Sequence, residues 1–203
     1  FADRGQRSEV RFDFIVKDGR WYFYTVDGIT IPVKSISSLP FGDFPALDPW
    51  QEAFGRRESD VAFVLKTYLY IKEDKGKDAA LAFLDDGKGY RAGALAWMPY
   101  FEPRKAFIVL MGWREKRHHG EDVVIEEFSD NHCILTLRNC MWLRLYDVAT
   151  QFRNWVPREE YWEVFEHIWR CRAQASGWQV HFEYEGATAR IEFTLASGPS
   201  DLQ

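Results

Sequence analysis

The sequence predicts an α+β fold, with antiparallel β-hairpins forming a sheet and helices packed on one face. Paired short runs alternate apolar and polar residues around turn-forming dipeptides, the pattern of hairpins. Between those pairs, longer segments repeat apolar residues at helical spacing. At 203 residues and 46% hydrophobic, the chain has material for one large core or two small ones. The expected division is 1–58 as an N-terminal hairpin and linker, 59–197 as a helical and hairpin ligand-binding domain, and 198–203 as a tail.

The first expected hairpin spans residues 10–25. Arg11 to Val16 and Trp21 to Tyr24 flank Asp18-Gly19, a pair that suits a type I′ turn because glycine accepts positive φ. Pro40, Gly42, Pro45 and Pro49 make the stretch from Ser35 to Pro49 read as an irregular linker. Ser59 is placed to cap a helix to about Glu73, with Val61, Val64, Leu65, Tyr68 and Ile71 as its buried stripe. Asp78 is placed to cap a second helix to about Met98, unless Gly87 and Gly89 break it in two. Its small residues Ala82, Gly89, Gly93 and Ala96 suggest another backbone passing very close.

Ala106 to Trp113 is a short apolar run, either strand or buried helix. Arg114 to His119 is basic, interrupted by Glu115 and followed by Glu121 and Asp122, and reads as a solvated loop. Val123–Phe128 and His132–Cys140 flank Ser129-Asp130-Asn131 as a second hairpin, with Cys133, Leu135 and Leu137 facing the core and His132, Thr136 and Arg138 facing outward. Trp142, Leu145, Val148, Ala149 and Phe152 continue at helical spacing. The segment Pro157–Ser176 is an amphipathic helix, with Tyr161, Val164, Phe165, Ile168 and Ala175 on one face. A third hairpin turns at Glu185-Gly186. Val180, Phe182, Tyr184, Ala189, Ile191, Phe193 and Leu195 should face in.

Composition excludes some functions. A net charge of −5 without a clustered basic surface argues against nucleic acid as a partner. No apolar run reaches the length needed to span a bilayer, so no membrane partner is expected. Three cysteines, Cys133, Cys140 and Cys171, cannot all pair. The first two lie an odd number apart in one strand and so point to opposite faces. Free thiols suit a reducing cytoplasm. The chain opens on Phe1 rather than Met, as a piece of a longer protein would.

One residue stands out of place. Arg172 falls near the middle of the apolar face of the Pro157–Ser176 helix, where its charge must be paired or must face a wet cavity. There it is either a structural ion pair, a snorkelling side chain, or an anchor for an anionic ligand. The chain is also 17% aromatic, enough either to pack a ring-rich core or to wall a cleft for a planar guest. On the second reading Tyr68, Tyr90, Trp97, Trp142, Phe165 and Trp169 line the site around Arg172.

The chemistry-bearing constellations are incomplete. Glu163 and His167 stand one helical turn apart with Cys171 a turn further, but Glu163 and His167 fall on the polar face, where an ion pair is the simpler reading. Asp85 and Asp86 are adjacent and diverge by about 100° if helical. His132 and Cys133 point to opposite faces of a strand, so they cannot act as base and thiolate for one another. There is no Gly-rich phosphate loop, nucleophile elbow or Cys-x-x-Cys pair. No metal and no cofactor are implied.

The element order resembles the 4-vinyl reductase domain family and its relatives, sensory domains that bind phenols and other aromatics. The likeness rests on the glycine-containing segment Asp86-Gly-Lys-Gly-Tyr-Arg-Ala-Gly93, then Val123–Cys140 and Glu159–Ser176, then Val180–Gly186 and Ala189–Leu195. It covers about residues 60–195, in pattern only. Many members carry cysteines around the final turn that hold a structural zinc. Here only Glu183 corresponds to an acidic ligand, and no cysteine lies beyond Cys171. The layout is also similar to thiazoline-carboxylate hydrolase-like proteins, which place a cysteine after a core strand, here Cys140.

The expectation is therefore a cytoplasmic domain, homodimeric like the families it resembles, that binds a small, mostly apolar aromatic molecule with or without a negative charge. As an alternative, the chain is a small-molecule hydrolase or lyase, with Cys140 as nucleophile and His167 or His181 as base. A third reading makes it a non-catalytic subunit of a larger enzyme, with Trp21 or Trp155 at the interface.

Overall fold

The computed structural model describes residues 13–17, 20–24, 30–33 and 49–196. The chain divides into two compact units, residues 1–49 and 50–203. In the first, β1 (Asp13–Lys17), β2 (Arg20–Tyr24) and β3 (Thr30–Val33) form an antiparallel sheet in the order β1-β2-β3. The expected hairpin is there, joined by a third strand at Thr30–Val33. The Asp18-Gly19 turn, the linker from Ser35 as far as Asp48 and the tail from Ser197 lie outside the described residues.

The second unit is the α+β body. Its helices are α1 (Pro49–Lys75), α2 (Lys77–Phe83), α3 (Gly87–Trp97), α4 (Pro103–Arg117), α5 (Met141–Val148), α6 (Thr150–Trp155) and α7 (Arg158–Ala175). Its strands are β4 (Asp122–Phe128), β5 (His132–Arg138), β6 (Trp178–Glu185) and β7 (Thr188–Leu195), all antiparallel in the order β4-β5-β7-β6. The second and third expected hairpins thus share one sheet, while the first belongs to another. Helices α4 and α7 pack against the four-stranded sheet.

Strand alternation explains the covered face. Cys133, Leu135, Leu137, Ala189, Ile191 and Phe193 are fully buried beneath the helices. Leu195, expected inward, is 40% exposed at the strand end. The opposite face is built of polar pairs: His132 with Glu127 and Glu192, and Arg190 with Glu126 and Glu183. Thr136, expected outward, is buried because Glu126 closes over its hydroxyl.

Three expectations about the helices are corrected. The first helix starts at Pro49, ten residues before Ser59, with proline at the first helical position where its missing N–H costs nothing. Ser59 is not a cap: its hydroxyl donates to Gly55 O, 3.0 Å away, within the helix. The Asp78–Met98 helix is broken at residues 84–86, the alternative that its glycines allowed. The basic run is not a loop: α4 carries it to Arg117, opened by Pro103 and by Glu102, whose carboxylate accepts from Lys105 N.

Among the described residues twelve aromatic side chains are buried in the core and eight are exposed. Tyr161, Tyr146, Trp142 and Phe165 form a chain of rings with centroids 4.9–5.6 Å apart, and Trp169 and Trp178 meet Phe193 from the sheet. Tyr161 donates its hydroxyl to Trp142 O at 2.8 Å, which satisfies the phenol inside the core. Among the described residues no helix is long and apolar enough to cross a membrane.

Candidate functional site

Two neighbouring hollows, of about 330 Å³ and 360 Å³, open among α1, α3, α4, α5 and α7. They share two lining residues, Tyr90 and Arg114. The first is walled by Trp142 from α5, Phe165, Ile168 and Trp169 from α7, and Val64 from α1. The second is walled by Trp97, Leu110 and Trp113, with Gly89 and Gly93 along one side. A Cβ on Gly89 would meet nothing within 4 Å, so the missing side chain there widens the hollow. The close backbone approach lies instead at Gly87, where a Cβ would sit 2.4 Å from Cys171 O. This lets α3 lie directly on α7.

Arg172 reaches the first hollow already partnered. Its Nε and Nη2 donate to the two oxygens of Asp86, each at 2.7 Å, and its guanidinium lies 3.6 Å from the centre of the Tyr90 ring. With 15% of its side chain exposed, it combines the structural ion pair with a place on the cavity wall. Arg114 approaches the same tyrosine, at 4.9 Å. Tyr90, Trp142, Phe165, Trp169 and Arg172 therefore meet around one cavity, and Trp97 lines the other. Tyr68 lines neither. It is fully buried on α1 and donates its hydroxyl to Glu160 Oε1 at 2.6 Å, beside Lys72.

Beneath the first hollow is a charged cluster that sequence reasoning missed. Arg57 on α1 is buried, with Nη2 3.1 Å from Glu115 Oε2 and 3.8 Å from Glu121 Oε1. Its Nη1 donates to the His119 ring, 2.6 Å from Nδ1, and its guanidinium carbon lies 5.6 Å from the centre of the Trp142 ring. Gly120 makes this possible. At φ +68° the chain turns sharply where a Cβ would strike Ala53, and Glu121 is drawn inward with its N–H on Glu115 O.

Burial sets the protonation of the cluster. It pushes His119 down to about 4, helped by the Arg57 charge and opposed by Glu115, so the neutral ring accepts from the guanidinium. Burial, then the nearby Glu115 charge, lifts Glu121 well above the ordinary carboxylate range. Burial alone would lower Arg57, but the acidic groups around it, Glu115 foremost, outweigh that and raise it. Three residues that line the hollow each hold one N–H that is shielded from solvent and has no hydrogen-bond partner: Arg57 Nε, Trp142 Nε1 and Arg114 Nε.

The cysteine set is arranged differently from the catalytic alternative. Cys140 is fully buried at the start of α5, where Asn139 at φ +59° turns the chain out of β5. Its sulfur lies 3.9 Å from Glu121 Oε1, and burial followed by that carboxyl pushes the thiol well up. His167 Nε2 lies 3.3 Å from Cys171 Sγ, and His181 is exposed on β6. Among the described residues no hydrogen bond joins Cys140 to either histidine. Glu163 pairs with Lys77.

Arg57 and Glu115 had a signal of the kind that marked Arg172. Arg57 stands four and seven residues before Val61 and Val64, on the buried stripe of its helix. Glu115 follows Met111 and Ile108 at the same intervals. His119 and Glu121 had none, because only the packing of α1 against the Gly120 turn brings them in.

No family model, no curated protein and no solved structure matches this chain. The site must be read from its own chemistry.

Proposed function

We propose that the chain binds a small, mostly apolar aromatic molecule in the hollow walled by Trp142, Phe165, Trp169 and Tyr90, and serves as a sensor or carrier domain. What supports this reading is a cavity of about 330 Å³ walled by the rings of Tyr90, Trp142, Phe165 and Trp169 and bordered by Arg57, Arg114 and Arg172. Sites for small organic molecules combine concave apolar walls with a few fixed polar groups. The resemblance to aromatic-sensing domains points the same way, and with it come the expectations of a homodimer and a cytoplasmic setting. Nothing about this reading requires a reaction.

Native mass spectrometry of the freshly purified protein tests it together with a blocking variant. A retained or added aromatic compound should appear as a discrete mass increment. Val64→Trp, which places an indole in the cavity from its less buried side, should abolish the increment while leaving the circular dichroism spectrum intact. Undiminished binding in that variant would refute the site.

A further inference from the structure

We infer that the 360 Å³ hollow is a second binding subsite, for an uncharged flat ring system, adjoining the first at Tyr90; this goes beyond the binding reading above, which needs only the other hollow. The walls set the class of guest. Trp97 from α3 and Leu110 and Trp113 from α4 line the space, with Tyr90 on the side it shares with the first hollow. The polar groups on its lining are already engaged. Asp86 holds Arg172 in a two-bond fork, Arg114 lies against the Tyr90 ring, and the His118 ring packs on Trp113 with centroids 5.0 Å apart. Ring faces and aliphatic carbon are what remain for a guest, and they suit an uncharged aromatic. A cavity of about 150 Å³ holds one benzene, so about 360 Å³ has room for two fused rings.

Two features of the hollow point to an occupant. Trp97 is 73% exposed and Trp113 is 41% exposed, although tryptophan is on average a highly buried residue. Exposed apolar surface gathered around a concavity is the mark of a ligand groove. Gly89 is the second feature. A glycine inside a helix costs about 1 kcal/mol relative to alanine. At Gly87 the approach of Cys171 O demands it, but at Gly89 a Cβ would meet nothing within 4 Å. Packing therefore gives no reason for the missing side chain; its structural effect is to keep the hollow open beside Tyr90. Gly93, one turn further along α3, lines the same space, and a Cβ there would meet only Leu110, at 3.7 Å.

Calorimetric titration of the full chain with naphthalene counts the guests, on the wild type, Gly89→Leu, Trp97→Ser and Val64→Trp. The wild type should bind two equivalents. Gly89→Leu fills the second hollow and should remove one of them, while Val64→Trp should remove the other. Trp97→Ser, at an exposed position, should weaken one of the two sites by about fivefold or more. A single equivalent that Gly89→Leu leaves unchanged and Val64→Trp abolishes, or two equivalents that survive Gly89→Leu, would overturn the second subsite while the binding reading stands. A guest lost in Gly89→Leu but retained in Val64→Trp would uphold this hollow and refute the first. No binding to the wild type would overturn both. Should Gly89→Leu fail to fold, the wild-type count and the Trp97→Ser arm still decide.

Discussion

Arg172 grips Asp86 through two parallel hydrogen bonds of 2.7 Å, and this fork fastens the start of α3 to the last turn of α7. Asp86 immediately precedes α3 and is the residue before Gly87, the point of closest approach between the helices. The fork is partly exposed, so its contribution is modest. Arg172→Leu and Asp86→Asn should each destabilise the domain by about 1 kcal/mol, with a coupling in the double variant that makes the losses less than additive. Urea unfolding of the three variants measures this; fully additive losses would show that the pair does not act as a unit.

The two neighbouring glycines of α3 should respond oppositely to alanine. At Gly87 the new methyl would lie 2.4 Å from Cys171 O and 2.9 Å from Ala175 Cβ, so the helices must separate. A loss of about 1–3 kcal/mol is expected. At Gly89 nothing lies within 4 Å, and the gain in helix propensity should stabilise by about 0.5–1 kcal/mol. Thermal melts of the two variants should move in opposite directions.

Stability should fall as pH rises above neutrality, and Glu121 should be the cause. Its carboxyl is lifted above the ordinary 4.5 by burial first and Glu115 second, so the folded state holds a proton that the unfolded chain releases. Stability from this source is complete below 4.5 and is lost as pH rises toward the folded value. His119 works in the other direction. It is held neutral with its value lowered from 6.5 to about 4, so its contribution is complete above 6.5 and lost as pH falls toward 4. Of these two, only Glu121 acts above pH 6.5. His132, raised above 6.5 by its hydrogen bonds to Glu192 and Glu127, loses its contribution in the same window, more weakly because its ring is exposed to solvent screening. The unfolding free energy of the wild type should decline between there and about pH 8, and Glu121→Gln should flatten the decline. An unchanged slope in that variant would locate the titration elsewhere.

The thiols should differ sharply in reactivity. Cys133 and Cys140 are fully buried, whereas Cys171 is half-buried beside His167. Iodoacetamide on the native protein should modify Cys171 alone, as read by peptide mass spectrometry, and leave aromatic binding intact. Rapid labelling of Cys140 with loss of binding would revive the cysteine-nucleophile reading.

Much of the fold could be read from periodicity. The β4–β5 and β6–β7 hairpins and α7 follow from alternation and helical spacing that tertiary contacts reinforce. What escaped had non-local causes. Ser59 reads as the start of the first helix because serine resembles a cap, although its hydroxyl is satisfied by Gly55 O. That late start excluded Arg57 from the helix and so hid the charge on its apolar stripe. Reading Arg114–His119 as solvated hid Glu115 in the same way. Tyr68 was placed at the site for its ring, yet its hydroxyl is committed to Glu160. Trp142, Phe165, Trp169 and Tyr90 are candidates by their type alone; only the packing of α3, α5 and α7 brings them around one space.

A crystal grown with naphthalene examines that space directly. Occupation requires ring density between Trp142, Phe165, Trp169 and Tyr90, with those side chains little moved. A saturated crystal in which this hollow stays empty, or is filled by collapse of its own walls, would contradict the idea that the domain is built to hold a flat guest.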